Sequence, residues 1–134
     1  MRPLILVGLF LASLAAGCGG GDEESKAACG SAPAAMAGDP KLPDGFPTPH
    51  EVTYTSSKPA GPSTIVEGYN EDELEHTFAE YKDGFEQAGY DVTKDEKEED
   101  DAEVNFAGSG TDGQVKLREE CAGRTTISIT VRPA

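Results

Sequence analysis

Apolar and polar residues alternate along six segments of the chain, a pattern typical of antiparallel strands with one buried and one solvated face. The six segments are residues 51–57, 63–69, 90–95, 102–107, 114–121 and 125–132. In the second segment Ile65 and Tyr69 form the apolar side, and in the fifth Val115, Leu117 and Cys121 do. Glycine, proline or acidic residues separate the segments, so we expect strands joined by turns.

The stretch between the second and third segments has helical periodicity instead. Asn70 and Glu73 fit an N-cap with its capping-box partner, and Gly89 fits a helix stop. The apolar residues of this stretch recur every three or four positions: Leu74, Phe78, Tyr81, Phe85 and Ala88. We therefore expect one amphipathic helix over about residues 71–88.

The order of the elements is ββαββββ, which predicts a two-layer α+β domain with an antiparallel sheet of five or six strands on one helix. A helix roughly 10 Å wide covers only two or three strands spaced about 4.8 Å apart. The remaining core must be covered by curling of the sheet, by the proline-rich segment 42–49 through Leu42 and Phe46, or by a partner. Because the chain itself supplies the first two, we expect a monomer.

The beginning of the chain has a different composition. Residues 1–17 consist of a short basic start, an apolar stretch from Leu4 to Leu14 and a small-residue tail. This is the layout of a secretory signal peptide. A membrane-spanning helix needs about 20 apolar residues, so we expect residues 1–17 to be removed after export.

The end of this segment, Leu14-Ala15-Ala16-Gly17-Cys18, resembles the lipobox of bacterial lipoproteins. The resemblance implies cleavage before Cys18 and lipid on its thiol, which would hold the protein at the extracytoplasmic face of the cell membrane. Two or more acyl chains make such an anchor effectively stable. The alternative, a secreted protein without lipid, would leave an odd cysteine in an oxidising compartment.

Residues 18–41 are poor in large apolar side chains and rich in glycine, alanine, proline and acidic residues, so we expect a lipidated cysteine followed by a flexible linker. Residues 42–134 then form a single small domain. The arrangement of a proline-rich segment, residues 42–49, leading into a small α+β domain also resembles that of small lipoproteins of actinobacterial type.

With Cys18 carrying lipid, Cys29 and Cys121 remain. Two thiols outside the cytoplasm usually form one disulfide. A metal–thiolate site or a redox pair is the alternative, but there is no Cys-x-x-Cys and neither histidine is near either cysteine in sequence. We predict a Cys29–Cys121 bond, which would also shorten the free tether.

The whole chain has a formal charge of −14, and removal of Arg2 with the signal peptide leaves −15. So acidic a protein is repelled by nucleic acids and by anionic lipid headgroups. We therefore expect no nucleic-acid partner, and attachment to the membrane through the lipid alone.

No nucleophile motif, metal motif or phosphate loop is present in the sequence. His76 falls on the polar side of the predicted helix, where we expect a solvated side chain. The acidic run 95–101 is interrupted by Lys97 and is expected to be a solvated loop rather than a cation site. We predict no catalytic residues, no metal and no cofactor, and so not an enzyme.

One group of basic residues stands out in this acidic chain. Lys116, Arg118, Arg124 and Arg132 lie in the last two strand segments or their turn. Lys116, Arg118 and Arg132 alternate with the apolar residues of their strands, so we expect their side chains to point away from the core and to form a basic patch on the uncovered face of the sheet. Such a patch could bind an acidic protein or an envelope glycan. The alternative is cross-strand ion pairing with Glu103 and Glu120.

Together these features predict a membrane-tethered, non-catalytic interaction module of the cell envelope. The alternative is a lipoprotein that binds a small ligand in a cavity between helix and sheet. A packed interior lined by Phe78, Tyr81, Phe85 and Phe106 would argue against that cavity.

Overall fold

The computed structural model describes residues 26–134; the predicted signal peptide and Cys18 lie outside the described residues. Within this range one helix packs on a six-stranded antiparallel sheet, which confirms the predicted α+β class and element order. The elements are β1 (Thr53–Ala60), β2 (Ser63–Asn70), α1 (Leu74–Gln87), β3 (Asp91–Lys97), β4 (Asp101–Gly108), β5 (Thr111–Cys121) and β6 (Arg124–Pro133). No helix in the described range is long and apolar enough to cross a membrane.

The spatial order of the strands is β1-β2-β6-β5-β4-β3. The helix carries the chain from β2, near one edge of the sheet, to β3 at the opposite edge. Tight hairpins then lead through β4 and β5 back to β6, which lies between β2 and β5. The sheet is therefore continuous, with β1 and β3 at its edges.

The core lies between α1 and one face of the sheet. Tyr81 and Phe85 of the helix are fully buried against strand residues that include Phe106. The Phe85 and Phe106 rings stack with centroids 4.5 Å apart, and Phe46 meets the Phe85 ring edge-on at 5.4 Å. The proline-rich segment 42–49 thus supplies a core residue, Phe46, where the helix is too narrow, as its sequence predicted. Leu42 packs against the same cluster and stays partly exposed.

The orientation of β2 corrects the sequence interpretation. Ile65 and Tyr69 do share one side of the strand, but they pair in register with Thr130 and Thr126, whereas Val66 belongs to the core. Tyr69 is only 8% exposed because other residues cover it on the far side of the sheet. Apolar content alone therefore assigned the wrong face.

The predicted N-cap is also wrong. The helix begins at Leu74 with Glu73 in the cap position and no side-chain cap bond. Asn70 instead lies at the end of β2, fully buried, and its Nδ2 donates to Oγ1 of Thr77 at 2.9 Å. The stop at Gly89 is confirmed, with a positive φ of 83° that favours glycine.

Part of the expected flexible linker lies against the sheet. The Cys29–Cys121 disulfide is present, with Cα atoms 5.1 Å apart, and Ala28 forms a parallel bridge with Ala122 beside it. Further along, the backbone N–H of Met36 donates to the Tyr54 carbonyl at 2.8 Å. We call residues 26–41 the docked strap. Its small residues let the backbone approach the sheet closely, a contact that composition does not predict.

Candidate interaction site

The sheet face opposite α1, here called the outer face, carries the basic residues singled out in the sequence. Lys116 and Arg118 of β5 alternate along the strand with the buried residues Val115 and Leu117, and both are exposed. Ser128 and Thr126 of β6 lie directly opposite them in register. Two cations and two hydroxyl groups thus form a compact square at the centre of the sheet.

This square is the floor of an open depression of about 560 Å³, which we call the outer groove. Residues of five strands line the groove, from β1 to β4 across the sheet, and the lining includes Glu67, Glu103, Lys116, Arg118, Thr126 and Ser128.

Pro33 of the docked strap and Tyr69 of β2 also line the groove. The Tyr69 hydroxyl donates to the Pro33 carbonyl at 3.1 Å, so the strap covers this ring. The Cys29–Cys121 bond and this contact together fix the strap beside the groove. The groove is therefore built partly by residues that the sequence assigned to a flexible linker.

The cations in the groove are not neutralised by ion pairs. Over residues 26–134, neither Lys116 nor Arg118 has a carboxylate oxygen within 4.0 Å of a side-chain nitrogen. Glu103 is opposite Lys116 in register, yet its carboxylate accepts a hydrogen bond from Gln114. The cross-strand pairing with Glu103 expected as the alternative is therefore absent from this part of the chain.

Arg132 does not belong to the same site. It forms an ion pair with Asp112, its neighbour across β5 and β6. It lines a second, separate depression. Arg132 lies four positions beyond Ser128, or about 13 Å along the strand. The structure brings Lys116 and Arg118 together and leaves Arg132 apart.

Arg124 has a structural position that the sequence does not indicate. It is only 7% exposed, and its guanidinium lies 2.9 Å from Glu71 and donates to the Gly30 carbonyl at 3.2 Å. The guanidinium also lies over the Tyr69 ring, 5.4 Å from its centroid. Arg124 therefore joins β6, the start of the helix region and the docked strap. The sequence carries no signal for this role, because Glu71 and Gly30 are 53 and 94 positions away from Arg124.

His76 lies away from the outer groove, and of the acidic run 95–101 only Asp101 lines it. His76 is exposed, and its Nδ1 lies 3.1 Å from the Asp72 carboxylate, a hydrogen bond that raises the pKa of His76. In the acidic run, Asp100 pairs with Lys26 at 2.7 Å. Among residues 26–134, no three His, Cys, Asp or Glu side chains converge as a metal site requires.

The space between helix and sheet is occupied by aromatic rings. Tyr81, Phe85 and Phe106 are fully buried, and Phe46 and Tyr90 meet Phe85 and Phe106 in edge-on contacts. Such rings fill the position in which a small-ligand carrier needs its cavity. Phe78, expected in this lining, is partly exposed at its margin.

Comparison of the chain with protein-family models, with curated proteins and with solved structures gave no match.

Proposed function

We propose that this protein is a membrane-tethered lipoprotein on the extracytoplasmic side of the cell, acting as a non-catalytic interaction module through the outer groove. The observation that carries the proposal is the open groove with Lys116 and Arg118 at its centre, free of carboxylate partners in the described chain. Exposed charged side chains that form no ion pair within their own chain remain available for a partner and give specificity and fast association.

The position of the docked strap supports a short tether. Lys26 Nζ donates to the Glu119 carbonyl at 2.8 Å and pairs with Asp100, so the strap is fixed at the end of β5. Eight residues lead from Cys18 to Lys26, and a fully extended chain of that length spans at most about 28 Å. Lipid on Cys18 would therefore hold the domain close to the membrane surface.

The anchor is tested with Cys18→Ser in the full chain. We expect the wild type to incorporate a labelled fatty acid and to sediment with membranes, and the variant to do neither, because its side chain has no thiol to acylate. Cys29→Ser is the matched control and should keep both properties. Membrane attachment without Cys18 would overturn the lipid anchor.

The groove is tested by site-specific photo-crosslinking in intact cells. A photoreactive residue at Ser128 should capture a defined partner band, identified by mass spectrometry, and the same residue at exposed Ala79 on the helix should not. Lys116→Glu with Arg118→Glu should abolish the Ser128 crosslink. The double variant Lys41→Glu and Lys97→Glu makes the same charge change at exposed sites elsewhere and should leave the crosslink intact. Equal capture from both positions would contradict the proposal.

A further inference from the structure

The charges around the outer groove define which ligand it can accept. Two cations, Lys116 and Arg118, occupy the floor, and four carboxylates also line it: Glu67, Asp101, Glu103 and Glu120. The lining thus has two more negative than positive groups. A purely acidic ligand would meet repulsion from the rim, and a purely basic one would meet repulsion from the floor. The groove is complementary to a ligand that carries both charges.

Two of these carboxylates lie on either side of Lys116 in a single row across the sheet. Glu103 of β4 is opposite Lys116 of β5, Lys116 is opposite Ser128 of β6, and Ser128 is opposite Glu67 of β2. Three inter-strand spacings separate Glu103 from Glu67, which is about 14 Å. The row reads acidic, basic, hydroxyl, acidic.

This spacing matches an extended peptide laid across the strands. Alternate side chains of an extended chain point the same way and are about 6.6 to 7 Å apart, so the first and fifth residues are about 13 to 14 Å apart. A segment of the form basic-x-acidic-x-basic places its outer cations over Glu103 and Glu67. Its central carboxylate then lies between β5 and β6, within reach of Lys116 and Ser128.

We propose that the outer groove binds an extended segment of a partner protein with the charge order basic-x-acidic-x-basic, crossing the strands from β4 to β2. The inference rests on the proposed function of the groove and specifies its ligand. It replaces the acidic partner that the sequence suggested, since Glu67 and Asp101 could not be recognised as neighbours of the two cations before the strands were placed.

Two features favour a charged peptide over a neutral glycan. Sugar binding commonly uses an exposed aromatic face, but the Tyr69 ring of this groove is 8% exposed, beneath the strap and Arg124. The groups that remain exposed in the row are charged or carry a hydroxyl. Salt bridges and hydrogen bonds are therefore the contacts that the groove offers.

The test uses the isotope-labelled full chain in non-ionic detergent micelles, with capped pentapeptides as probes and amide chemical shifts as the readout. Lys-Ala-Glu-Ala-Lys should shift the amides of Glu67, Glu103, Lys116 and Ser128. Glu-Ala-Lys-Ala-Glu and Glu-Ala-Glu-Ala-Glu should bind at least about tenfold more weakly, a difference of about 1.4 kcal/mol.

A charge swap tests the order of the charges directly. The triple variant Glu67→Lys, Glu103→Lys and Lys116→Glu should reverse the preference and bind Glu-Ala-Lys-Ala-Glu best. Glu86→Lys on the exposed side of the helix adds the same net charge and should keep the wild-type preference. If the triple variant does not fold, the single variant Glu103→Lys should weaken Lys-Ala-Glu-Ala-Lys several-fold.

The possible outcomes distinguish failure of the proposed ligand from failure of the proposed function. Tightest binding of Glu-Ala-Glu-Ala-Glu would overturn the mixed-charge ligand. Absence of shifts with every peptide, while the Ser128 crosslink in cells persists, would also overturn the ligand and leave the interaction module standing. Loss of both signals would overturn both proposals. Reversal in the triple variant would support the ligand assignment.

Discussion

At the scale of single residues, Tyr81 is fully buried, and its hydroxyl, like that of Tyr90, has no hydrogen-bond partner among residues 26–134. An unsatisfied buried polar group costs about 1 to 3 kcal/mol. Tyr81→Phe removes that group without altering the ring packing, so we expect equal or higher stability in urea unfolding. Tyr69→Phe is the contrasting variant: it loses the bond to Pro33 and should cost about 0.5 to 1.5 kcal/mol. A marked loss of stability in Tyr81→Phe would show that the hydroxyl has a partner.

Tyr81 should also make the unfolding free energy depend on pH. Burial raises the pKa of the Tyr81 hydroxyl well above its ordinary value of 10.0. In the unfolded chain this group ionises near that ordinary value, whereas the folded protein retains the proton. The unfolding free energy should therefore fall as the pH rises above about 10. Tyr81→Phe should remove part of this slope in urea unfolding curves measured through that range; an unchanged slope would assign it to other groups.

At the scale of elements, the junction of β2 and α1 depends on a buried polar pair. Asn70 and Thr77 are both fully buried and hydrogen-bonded to each other, and Thr77 Oγ1 also lies 3.1 Å from the Glu73 carbonyl. This pair links the first turn of the helix to the strand that precedes it. It does so without the side-chain cap that usually begins a helix.

We expect Thr77→Val to destabilise the protein by about 1 to 3 kcal/mol, because it leaves the Asn70 side chain buried with its Thr77 partner removed. The shape of the side chain is nearly unchanged, so the loss reports hydrogen bonding rather than packing. Thr130→Val on the outer face is the matched control and should change the unfolding free energy by less than about 0.5 kcal/mol. Similar losses in both variants would argue against a special role for the junction.

At the scale of the whole molecule, the docked strap connects the predicted anchor, the disulfide and the outer groove. The Cys29–Cys121 bond closes a loop with a sequence separation of 92 residues. Arg124 and Tyr69 hold the strap at the Gly30 and Pro33 carbonyls. Loosening the strap should therefore affect both the length of the tether and the wall of the groove.

The double variant Cys29→Ser and Cys121→Ser tests this connection. In the chain-entropy model the bond contributes at most about 4 to 5 kcal/mol to the unfolding free energy. We expect lower stability in urea and faster proteolysis within residues 26–36. Cys18→Ser, which keeps the bond, should match the wild type in both measurements. Equal proteolysis with and without the disulfide would show that other contacts hold the strap.

Local periodicity in the sequence determined the helix, the six strands, their order along the chain and the outward direction of Lys116 and Arg118. These features depend on residues two to four positions apart. Counting thiols likewise led to the Cys29–Cys121 pair, because only two remain once Cys18 is assigned to lipid.

Only the tertiary structure decided which strands are neighbours and what each exposed charge meets. The placement of β6 between β2 and β5 puts Glu67 in the same row as Lys116, pairs Arg132 with Asp112 and turns Tyr69 away from the core. The strap contacts and the role of Asn70 depend equally on partners distant in sequence. The physical reason is that strand pairing, above all that of β2 with β6, joins residues far apart in the sequence, and periodicity carries no information about that register.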